Sequence, residues 1–485
     1  MSAAPLGKPR SHALFRPLVH RYGRRPGPAS RPRRCSPLKP LSFGQLSVLR
    51  SIEHIPRPLW SVANIAYWLP LKPSVTVEEA RAALELLAER HESLRTVYAL
   101  PKDAAPRQRV EDRAHGVIEQ AEIEDTREAR DALVESSRER TFTLEDDFGW
   151  RATIATADGR PRGIAMCLHH IAADDWAQGV LEDGLAGLLA EPRPAPPSGT
   201  GDTVDSPTAL ALEQRSTAWR TRRQQARRFH GDVLRSGLLS PLPLSAEDGL
   251  REPPPRYDGE LPLDHLGGAV AARARSAQVL PQALFLAAST LTAAVCFGEL
   301  STAWWMMASN RFDPRWGALV TSMNQIVPMR ADLPADATVT ELAQRLQQDS
   351  FAALRYGCYD VDEINNLSHE IIGGLPEWRY MFNYSVNGAL PDRRDEGPLD
   401  AVPHAEPRTR TSHRSSPALC YFVVADDPVL TLQYYTTRAQ ADERQVAGLL
   451  RTYETVLRQI LLHPDRPVSR LLEDVRSQQA GTPAP

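Results

Sequence analysis

Cysteine is scarce in this sequence and follows no metal-binding or disulfide pattern. The 485 residues contain five cysteines, Cys35, Cys167, Cys296, Cys358 and Cys420. They form no CxxC pair and no cluster with histidine at zinc spacing, so a metal centre or a disulfide framework is not expected. Unpaired, scattered cysteines are typical of a reducing compartment, and we predict a cytoplasmic protein.

Long apolar runs are also missing. A membrane-spanning helix needs about 20 apolar residues. The best candidate, residues 283–296, is shorter and contains Ser289, Thr290 and Thr292. Residues 1–40 are basic and lack an apolar signal core, so a secretion signal is not expected. The sequence therefore predicts a protein without a membrane partner.

Acidic residues are absent from residues 1–40, which carry eight arginines and two lysines. Because the whole chain has a net charge of −3, the remainder carries a charge of −13 against the +10 of this segment. An acidic body has no bulk attraction for nucleic acid, which we do not expect as a partner. We interpret residues 1–39 as a disordered basic tail, and a transit peptide is the alternative.

Two proline-rich stretches interrupt the rest of the chain. Residues 191–207 (EPRPAPPSGTGDTVDSP) have the composition of a linker, and residues 240–262 that of a long surface connection. This predicts an N-terminal lobe over residues 40–190, a C-terminal lobe over residues 208–472 and a disordered tail over residues 473–485.

Helical and strand patterns alternate within both predicted lobes. Thr76 and Glu79 have the spacing of a helix capping box, and apolar residues recur at helical spacing after Trp176, over 281–296 and from 446 to 460. Short apolar runs predict strands at 163–168, 302–308, 379–385, 418–424 and 429–435. We therefore expect two α/β lobes, each with a sheet backed by helices.

The segment HHIAADD, residues 169–175, follows one of these strands and precedes a helical pattern. Successive side chains on a strand point to opposite faces, so His169 and His170 have different surroundings: one packs within its lobe and the other faces an opening. Asp174 is placed to cap the following helix or to pair with a cation. Histidine can accept a proton at neutral pH, so the segment predicts proton handling at an amine or hydroxyl. Two structural histidines and an ordinary helix cap are the alternative interpretation.

Six blocks, in order, carry a resemblance to a known family. LSFGQ (41–45) resembles LSxxQ, RHESLRT (90–96) matches RHExLRT, and HHIAADDW (169–176) resembles HHxxxDGWS. The later blocks are Asn310 and Arg311 with Gly317, Asn324, Pro328 and Arg330, then the poorly matching YDVDE (359–363), and MFNY (381–384). Over residues 40–472 the chain resembles a free-standing condensation domain of non-ribosomal peptide synthetases, in the chloramphenicol-acetyltransferase-like superfamily.

The resemblance implies an α/β fold of two acetyltransferase-like lobes, arranged as a V-shaped pseudo-dimer around a central tunnel. It implies no metal and no bound cofactor, because phosphopantetheine is carried by the partner proteins. The implied partners are a carrier protein bearing an acyl thioester and an acceptor that is either a small molecule or carrier-bound. We expect the protein itself to be a monomer.

The resemblance also assigns roles to individual residues. His170, the second motif histidine, would contact the acceptor as it attacks the thioester, and is the expected catalytic residue. Asp174 would pair with Arg311 and hold the loop, with His169 and Arg95 supporting the same region. The expected tunnel-lining residues are Asp175, Trp176 and Asn383.

The chain departs from the family pattern within the histidine motif. Asp175 replaces the usual glycine, and Ala177 replaces a serine or threonine. The Asp175 side chain would narrow the tunnel, and an Asp-Asp ending also occurs in related recruitment domains that bind oxygenases instead of catalysing. Those domains usually lose the second histidine, whereas His170 is retained here.

Three functions therefore remain open from sequence. The first is a stand-alone condensation enzyme that joins a carrier-bound acyl or aminoacyl thioester to an amine or alcohol. The second is an inactive condensation-like module that recruits an oxygenase or a carrier protein. The third is an acyl-CoA-dependent O-acyltransferase of the wax ester or acylglycerol type. Five arginines within residues 220–230 form either a docking patch for an acidic carrier or a solvated helix face.

Overall fold

The computed structural model of the protein describes residues 37–53, 55–190, 206–241, 256–386, 388–390, 399–412, 419–426, 429–437 and 440–480. Most of the predicted basic tail, residues 1–36, and most of the predicted linker, residues 191–205, lie outside these ranges.

The N-terminal lobe contains two sheets. Its strands are β1 (Lys39–Pro40), β2 (Asn64–Pro70), β3 (Thr96–Ala99), β4 (Arg107–Val110), β5 (Ile118–Glu122), β6 (Trp150–Ala157) and β7 (Arg160–His169). Its helices are α1 (Phe43–Ile52), α2 (Val77–Arg90), α3 (Arg127–Glu139) and α4 (Asp175–Ala190). The larger sheet has the strand order β2-β7-β6-β5, and the smaller one has the order β1-β4-β3.

The strand that leads to the histidines is central in the larger sheet. β6 and β7 form an antiparallel hairpin through Asp158 and Gly159, which both have positive φ. The predicted capping box at the start of α2 is confirmed, since the Thr76 hydroxyl accepts from the Glu79 N–H and the Glu79 carboxylate accepts from the Thr76 N–H. Helices α2 and α4 pack on one face of the sheet and bury an apolar core there. This packing fixes the positions at which β7 ends and α4 begins.

The C-terminal part is built on one seven-stranded sheet, with the order β10-β9-β11-β13-β14-β8-β12. Its strands are β8 (Arg256–Pro262), β9 (Ser301–Ala308), β10 (Gln325–Asp332), β11 (Tyr380–Ser385), β12 (Arg408–Ser412), β13 (Cys420–Ala425) and β14 (Thr431–Thr437). Its helices are α5 (Pro207–Arg215), α6 (Arg220–Leu234), α7 (Asp264–Ala277), α8 (Pro281–Phe297), α9 (Val339–Arg355), α10 (Val361–Ile372), α11 (Glu443–Leu462) and α12 (Val468–Ala480). The prediction of two α/β lobes is confirmed.

One end of the predicted surface connection over 240–262 is in fact an internal strand. β8 lies between β14 and β12, although its sequence lacks an alternating apolar pattern. A Cβ atom at Gly259 would lie 2.8 Å from both Leu450 Cδ1 and Val446 Cγ1 of α11. Glycine at this position therefore lets the helix pack closely on the sheet, a requirement that local patterning does not reveal.

The two lobes share a hydrophobic core. One cluster joins apolar residues of α1 and β7 to residues of α6, β9, β10 and α10. At the edge of this interface, the Arg50 guanidinium donates to both oxygens of Asp362, at 2.6 and 3.0 Å. The histidine loop thus lies at a boundary that packing holds together. The V shape and the central tunnel that the resemblance implies stay predictions.

The predicted disordered tail over residues 473–485 is wrong for its first part. Helix α12 continues to Ala480, because Val468, Leu471, Leu472 and Val475 at helical spacing are buried in the C-terminal core. Residues 481–485 lie outside the described ranges.

No single helix in the described ranges is long and apolar enough to cross a membrane. The consecutive helices α7 and α8 pass that test only as a pair, and they are bent by 104° relative to each other. Apolar residues of both helices are buried in the C-terminal core.

Candidate active site

The histidine loop is a tight turn between the end of β7 and the start of α4. The His169 N–H donates to the Gly149 carbonyl at 2.9 Å, and the His170 N–H donates to the Ala63 carbonyl at 2.7 Å. The Ala172 N–H closes the turn on the His169 carbonyl at 2.8 Å. A Cβ atom at Gly149 would lie only 2.7 Å from the Ala172 Cβ. Glycine at position 149 is therefore needed for the loop to lie this close to β6.

His169 is the histidine that packs inside its lobe. It is fully buried, and its Nδ1 accepts from the Ile171 N–H at 3.1 Å, which leaves the ring proton on Nε2. Its ring meets Phe142 edge-on, with 6.0 Å between the ring centroids. Burial, with smaller contributions from His170 and Arg151, lowers the pKa of His169 to about 3. This side chain stays neutral at physiological pH and holds the turn through the Ile171 N–H.

His170 has the opposite environment. Its side chain is half-buried, and its Nδ1 lies 3.5 Å from Ser322 Oγ, which is long for a hydrogen bond. Ser322 Oγ also donates to Asn324 Oδ1 at 3.0 Å, and Asn324 Nδ2 donates to Met307 Sδ at 3.3 Å. The imidazole therefore meets a short polar chain from the other lobe. Ser322 had no sequence signal beyond its place two residues before Asn324 in a family block.

Asp174 has both of the functions considered from sequence. Its Oδ1 accepts from the Ala177 N–H, capping α4, and from Arg311 Nη2, both at 2.9 Å. Its Oδ2 accepts from the N–H groups of Met323 and Asn324, at 2.8 and 3.2 Å. Four donors thus surround this carboxylate, and three of them come from the C-terminal lobe.

Arg311 completes this arrangement. Its side chain and that of Asp174 are 1% and 3% exposed, so the ion pair is shielded from water. The guanidinium also donates to the carbonyls of Trp316, Leu319 and Thr321, at 2.8, 2.8 and 3.0 Å. It therefore fastens the segment that carries Ser322 and Asn324 against the histidine loop. The predicted Asp174–Arg311 pair is present in the structure.

Arg95 hydrogen-bonds to two backbone carbonyls of its own lobe. Its Nε donates to the Ala88 carbonyl and its Nη1 to the Glu111 carbonyl, at 3.1 and 2.6 Å, so it ties α2 to the strand region of its own lobe. Within the same RHESLRT block, Ser93 contacts the histidine loop, because its buried hydroxyl donates to the Ala172 carbonyl at 2.5 Å. Ser93 makes the direct contact with the loop, and the supporting role expected of Arg95 stays a prediction.

The three predicted tunnel-lining residues face the other lobe in different ways. Asp175, exposed at the start of α4, accepts from Ser385 Oγ of β11 at 3.2 Å. Trp176 is 54% exposed, and its Nε1 donates to the Gly317 carbonyl at 2.8 Å, so it ties the lobes together. Asn383 is half-buried, two residues from Ser385 on the same strand. Whether these side chains line a tunnel stays a prediction.

The described ranges contain no group of three or more His, Cys, Asp or Glu side chains arranged to hold a metal ion. The four cysteines within those ranges, Cys167, Cys296, Cys358 and Cys420, are unpaired. The chemistry available at the site is that of an imidazole, hydroxyls, an amide and a carboxylate.

Comparison with known proteins agrees with this arrangement. Residues 58–198, which include the histidine motif, match the family model of the condensation domain. A relative from Salinispora arenicola, the probable non-canonical non-ribosomal peptide synthetase CymA, is 32% identical over 362 residues, which is 68% of this chain and 4% of that protein. The alignments span 4%, 1% and 4% of the first three curated relatives, so the chain corresponds to a small part of each.

Solved structures show the same fold over nearly the whole chain. The condensation domain of the Monacolin K polyketide synthase MokA has a TM-score of 0.71 at 14% identity, with 90% of this chain and 99% of that chain covered. The X-domain in complex with OxyB from teicoplanin biosynthesis has a TM-score of 0.65 at 20% identity, with 92% and 97% covered. At these identities the likeness establishes the fold and leaves the activity open.

Proposed function

We propose that the protein is a condensation enzyme. Both the condensation-domain sequence pattern and the condensation-domain fold are present, which confirms the family resemblance. The enzyme joins a carrier-bound acyl or aminoacyl thioester to an amine or alcohol in non-ribosomal peptide or related biosynthesis. The observation that carries this proposal is the retained His170. Its half-buried imidazole lies at the lobe boundary, on a loop whose neighbouring acid is fully used in structural contacts.

The proposed reaction forms one bond and breaks another. The acceptor nitrogen or oxygen attacks the thioester carbonyl, a C–N or C–O bond forms, and the C–S bond breaks. His170 accepts the proton of the acceptor and transfers it to the departing sulfur, which leaves as the thiol of the carrier arm. General acid–base catalysis of this kind contributes a rate factor of about 10²–10⁴.

Orientation is a second contribution of the same side chain. An α-ammonium group has a pKa near ~8, so part of an amine acceptor is already neutral at physiological pH and needs placement more than deprotonation. The Ala63 carbonyl holds the His170 backbone, and Ser322 lies against the ring. We propose that these two contacts aim the imidazole at the acceptor.

The proposed partners follow from this chemistry. A carrier protein delivers the acyl group on its phosphopantetheine arm, which is part of the substrate and is not a cofactor of this chain. The acceptor is a small molecule or a second carrier-bound group. We propose that this chain contributes binding and proton transfer only.

A recruitment module is the second candidate, and Asp175 is the observation that favours it. The carboxylate accepts a hydrogen bond from Ser385 across the two lobes, next to the loop that carries His170. The fold is also that of the X-domain whose structure was solved in complex with OxyB. In this alternative the contact obstructs the site, and the protein binds an oxygenase or a carrier without turnover.

Intact-mass spectrometry of an acyl-loaded carrier protein tests the proposal. The wild-type protein is incubated with the loaded carrier and an amine or alcohol acceptor, and loss of the acyl mass from the carrier is measured together with product. We expect His170→Ala to slow transfer by about 10²-fold or more. The matched control is His369→Ala, which removes an exposed imidazole on α10. It should leave transfer unchanged.

Two further arms separate the alternatives. Acyl-CoA in place of the acyl carrier tests the lipid-type acyltransferase, and a higher rate with acyl-CoA would contradict a carrier-dependent reaction. Equal transfer by wild type and His170→Ala, with tight binding to an oxygenase or carrier, would overturn the catalytic proposal and support the recruitment module.

A further inference from the structure

One face of the seven-stranded sheet carries several polar side chains, with apolar residues such as Met381 and Val423 between them. Along β11, Tyr380 and Phe382 point into the C-terminal core, whereas Asn383 and Ser385 alternate with them and are half-buried. The neighbouring strands continue this face with Tyr421 on β13 and with Gln433 and Tyr435 on β14. These five residues are called the polar strip below.

The carboxylate of Asp175 lies next to this strip. It accepts from the Ser385 hydroxyl at 3.2 Å. Burial raises the pKa of the Tyr421 phenol, and the charges of Arg256 and Asp175 act on it in opposite directions. In the part of the chain that the structure describes, no Lys, Arg or His nitrogen makes an ion pair with Asp175.

A cation already occupies an equivalent arrangement further along the strip. The Arg256 guanidinium lies 4.2 Å above the centre of the Tyr435 ring, and its Nε donates to Asp258 Oδ1 at 2.5 Å. Tyr421 is the ring neighbour of Tyr435, with 5.7 Å between centroids. Asp175 is a second carboxylate at this face, where it accepts from Ser385, although Arg256 also acts on the Tyr421 phenol.

His170 faces the same region from the other side. The polar chain from His170 runs through Ser322 and Asn324 to Met307, which is the next residue after Met306 of β9. Met306 pairs with Phe382 of β11, the residue that precedes Asn383. The polar chain from His170 thus ends on β9, beside the strand that carries Asn383 and Ser385.

We propose that Asp175, together with Ser385 and Tyr421, forms a subsite for a positively charged group of the acceptor. The inference rests on the proposed function and deepens it, since it gives the acceptor class as amines that carry a cationic group away from the reacting atom. Asp175 begins helix α4, and the positive end of a helix dipole favours a carboxylate there. A cation is attracted both to this carboxylate and to the face of a tyrosine ring.

Three four-carbon probes of stepwise charge test this subsite: 1,4-diaminobutane, 4-aminobutan-1-ol and 1,4-butanediol. Their binding is measured by calorimetry at pH 7 without any acyl donor, so that turnover is not required. For wild type we expect the two amines to bind more tightly than the diol. For Asp175→Asn, which keeps an acceptor for Ser385, we expect about 5- to 30-fold weaker binding of the amines and no change for the diol.

The matched control is Asp183→Asn, which removes one negative charge from an exposed position on the same helix. It should leave the binding of all three probes unchanged. Failure of wild type to bind the amines better than the diol, or equal losses in Asp175→Asn and Asp183→Asn, would overturn the subsite.

The reaction with a loaded carrier separates this inference from the proposed function. If Asp175 controls amine binding but no acceptor gives product, the subsite stands and the catalytic proposal fails. If product forms with the same KM for the amines in wild type and Asp175→Asn, the catalytic proposal stands and the subsite fails.

Discussion

Replacing Arg311 by alanine is the perturbation that most directly tests how the site is held together. The substitution removes a guanidinium that is 1% exposed and leaves Asp174, 3% exposed, without its cation. It also removes the donors to three carbonyls of the segment 316–321. Breaking a buried ion pair by deleting one partner costs about 3–5 kcal/mol, mainly because a buried charge is left uncompensated.

Urea unfolding followed by circular dichroism measures this cost, with the transition midpoint compared between variants. The matched control is Arg330→Ala, which removes an exposed arginine paired with Asp332 at 2.7 Å and should leave the midpoint nearly unchanged, because water screens this pair. In the double variant Asp174→Asn with Arg311→Ala, the loss should be smaller than the sum of the single losses. Equal, small losses for Arg311→Ala and Arg330→Ala would refute the buried-pair account.

The remaining predictions concern stability. Burial lowers the pKa of His230 to about 3, so the unfolded state, which titrates near the ordinary 6.5, binds more protons below that pH. The contribution of this group to the free energy of unfolding is therefore fully present above pH ~6.5. It is lost at up to about 1.4 kcal/mol per pH unit as the pH falls toward ~3. His230→Leu should show a shallower loss of stability between pH ~6.5 and ~4.5 in urea titrations, and an unchanged slope would contradict this. Gly149→Ala brings a Cβ within 2.7 Å of Ala172 Cβ and should cost about 1–3 kcal/mol by thermal unfolding, whereas Gly187→Ala, where nothing lies within 4 Å, should not destabilise α4.

Much of the fold was accessible from the sequence because its signals are local. The capping box of α2, the apolar strands of the C-terminal sheet and the stripe of α11 depend only on residues close in the chain. The pairing of Asp174 with Arg311 was different, since 137 residues separate them. Only the family resemblance indicated that these two residues meet.

The parts that were missed depend on contacts between distant segments. β8 has no alternating apolar pattern that would identify it from sequence. Its place in the sheet depends on its two neighbouring strands and on the close approach of α11 at Gly259. Ser93, in the same motif as Arg95, makes the direct contact with the loop, and its residue type alone did not indicate that contact. Ser322 and Ser385 reach the site from the other lobe, and a lone serine gives no sequence signal.

The interpretation of Asp175, which replaces the usual glycine of the motif, depends on the residues that surround it in the structure. From sequence it was a possible obstruction in place of glycine. In the structure it is an exposed carboxylate beside Ser385 and the polar strip. Obstruction and cation recognition make opposite predictions for Asp175→Gly: a gain of transfer with every acceptor in the first case, and a loss confined to charged acceptors in the second.

The central claim is that His170 serves the reaction while His169 and Asp174 hold its loop. It is tested most directly by single-turnover transfer from an acyl-loaded carrier to an acceptor, compared among wild type, His170→Ala and His369→Ala. We expect His170→Ala to reduce the transfer rate by about 10²-fold or more with unchanged carrier binding, and His369→Ala to match wild type. Transfer by His170→Ala at the wild-type rate would contradict the claim.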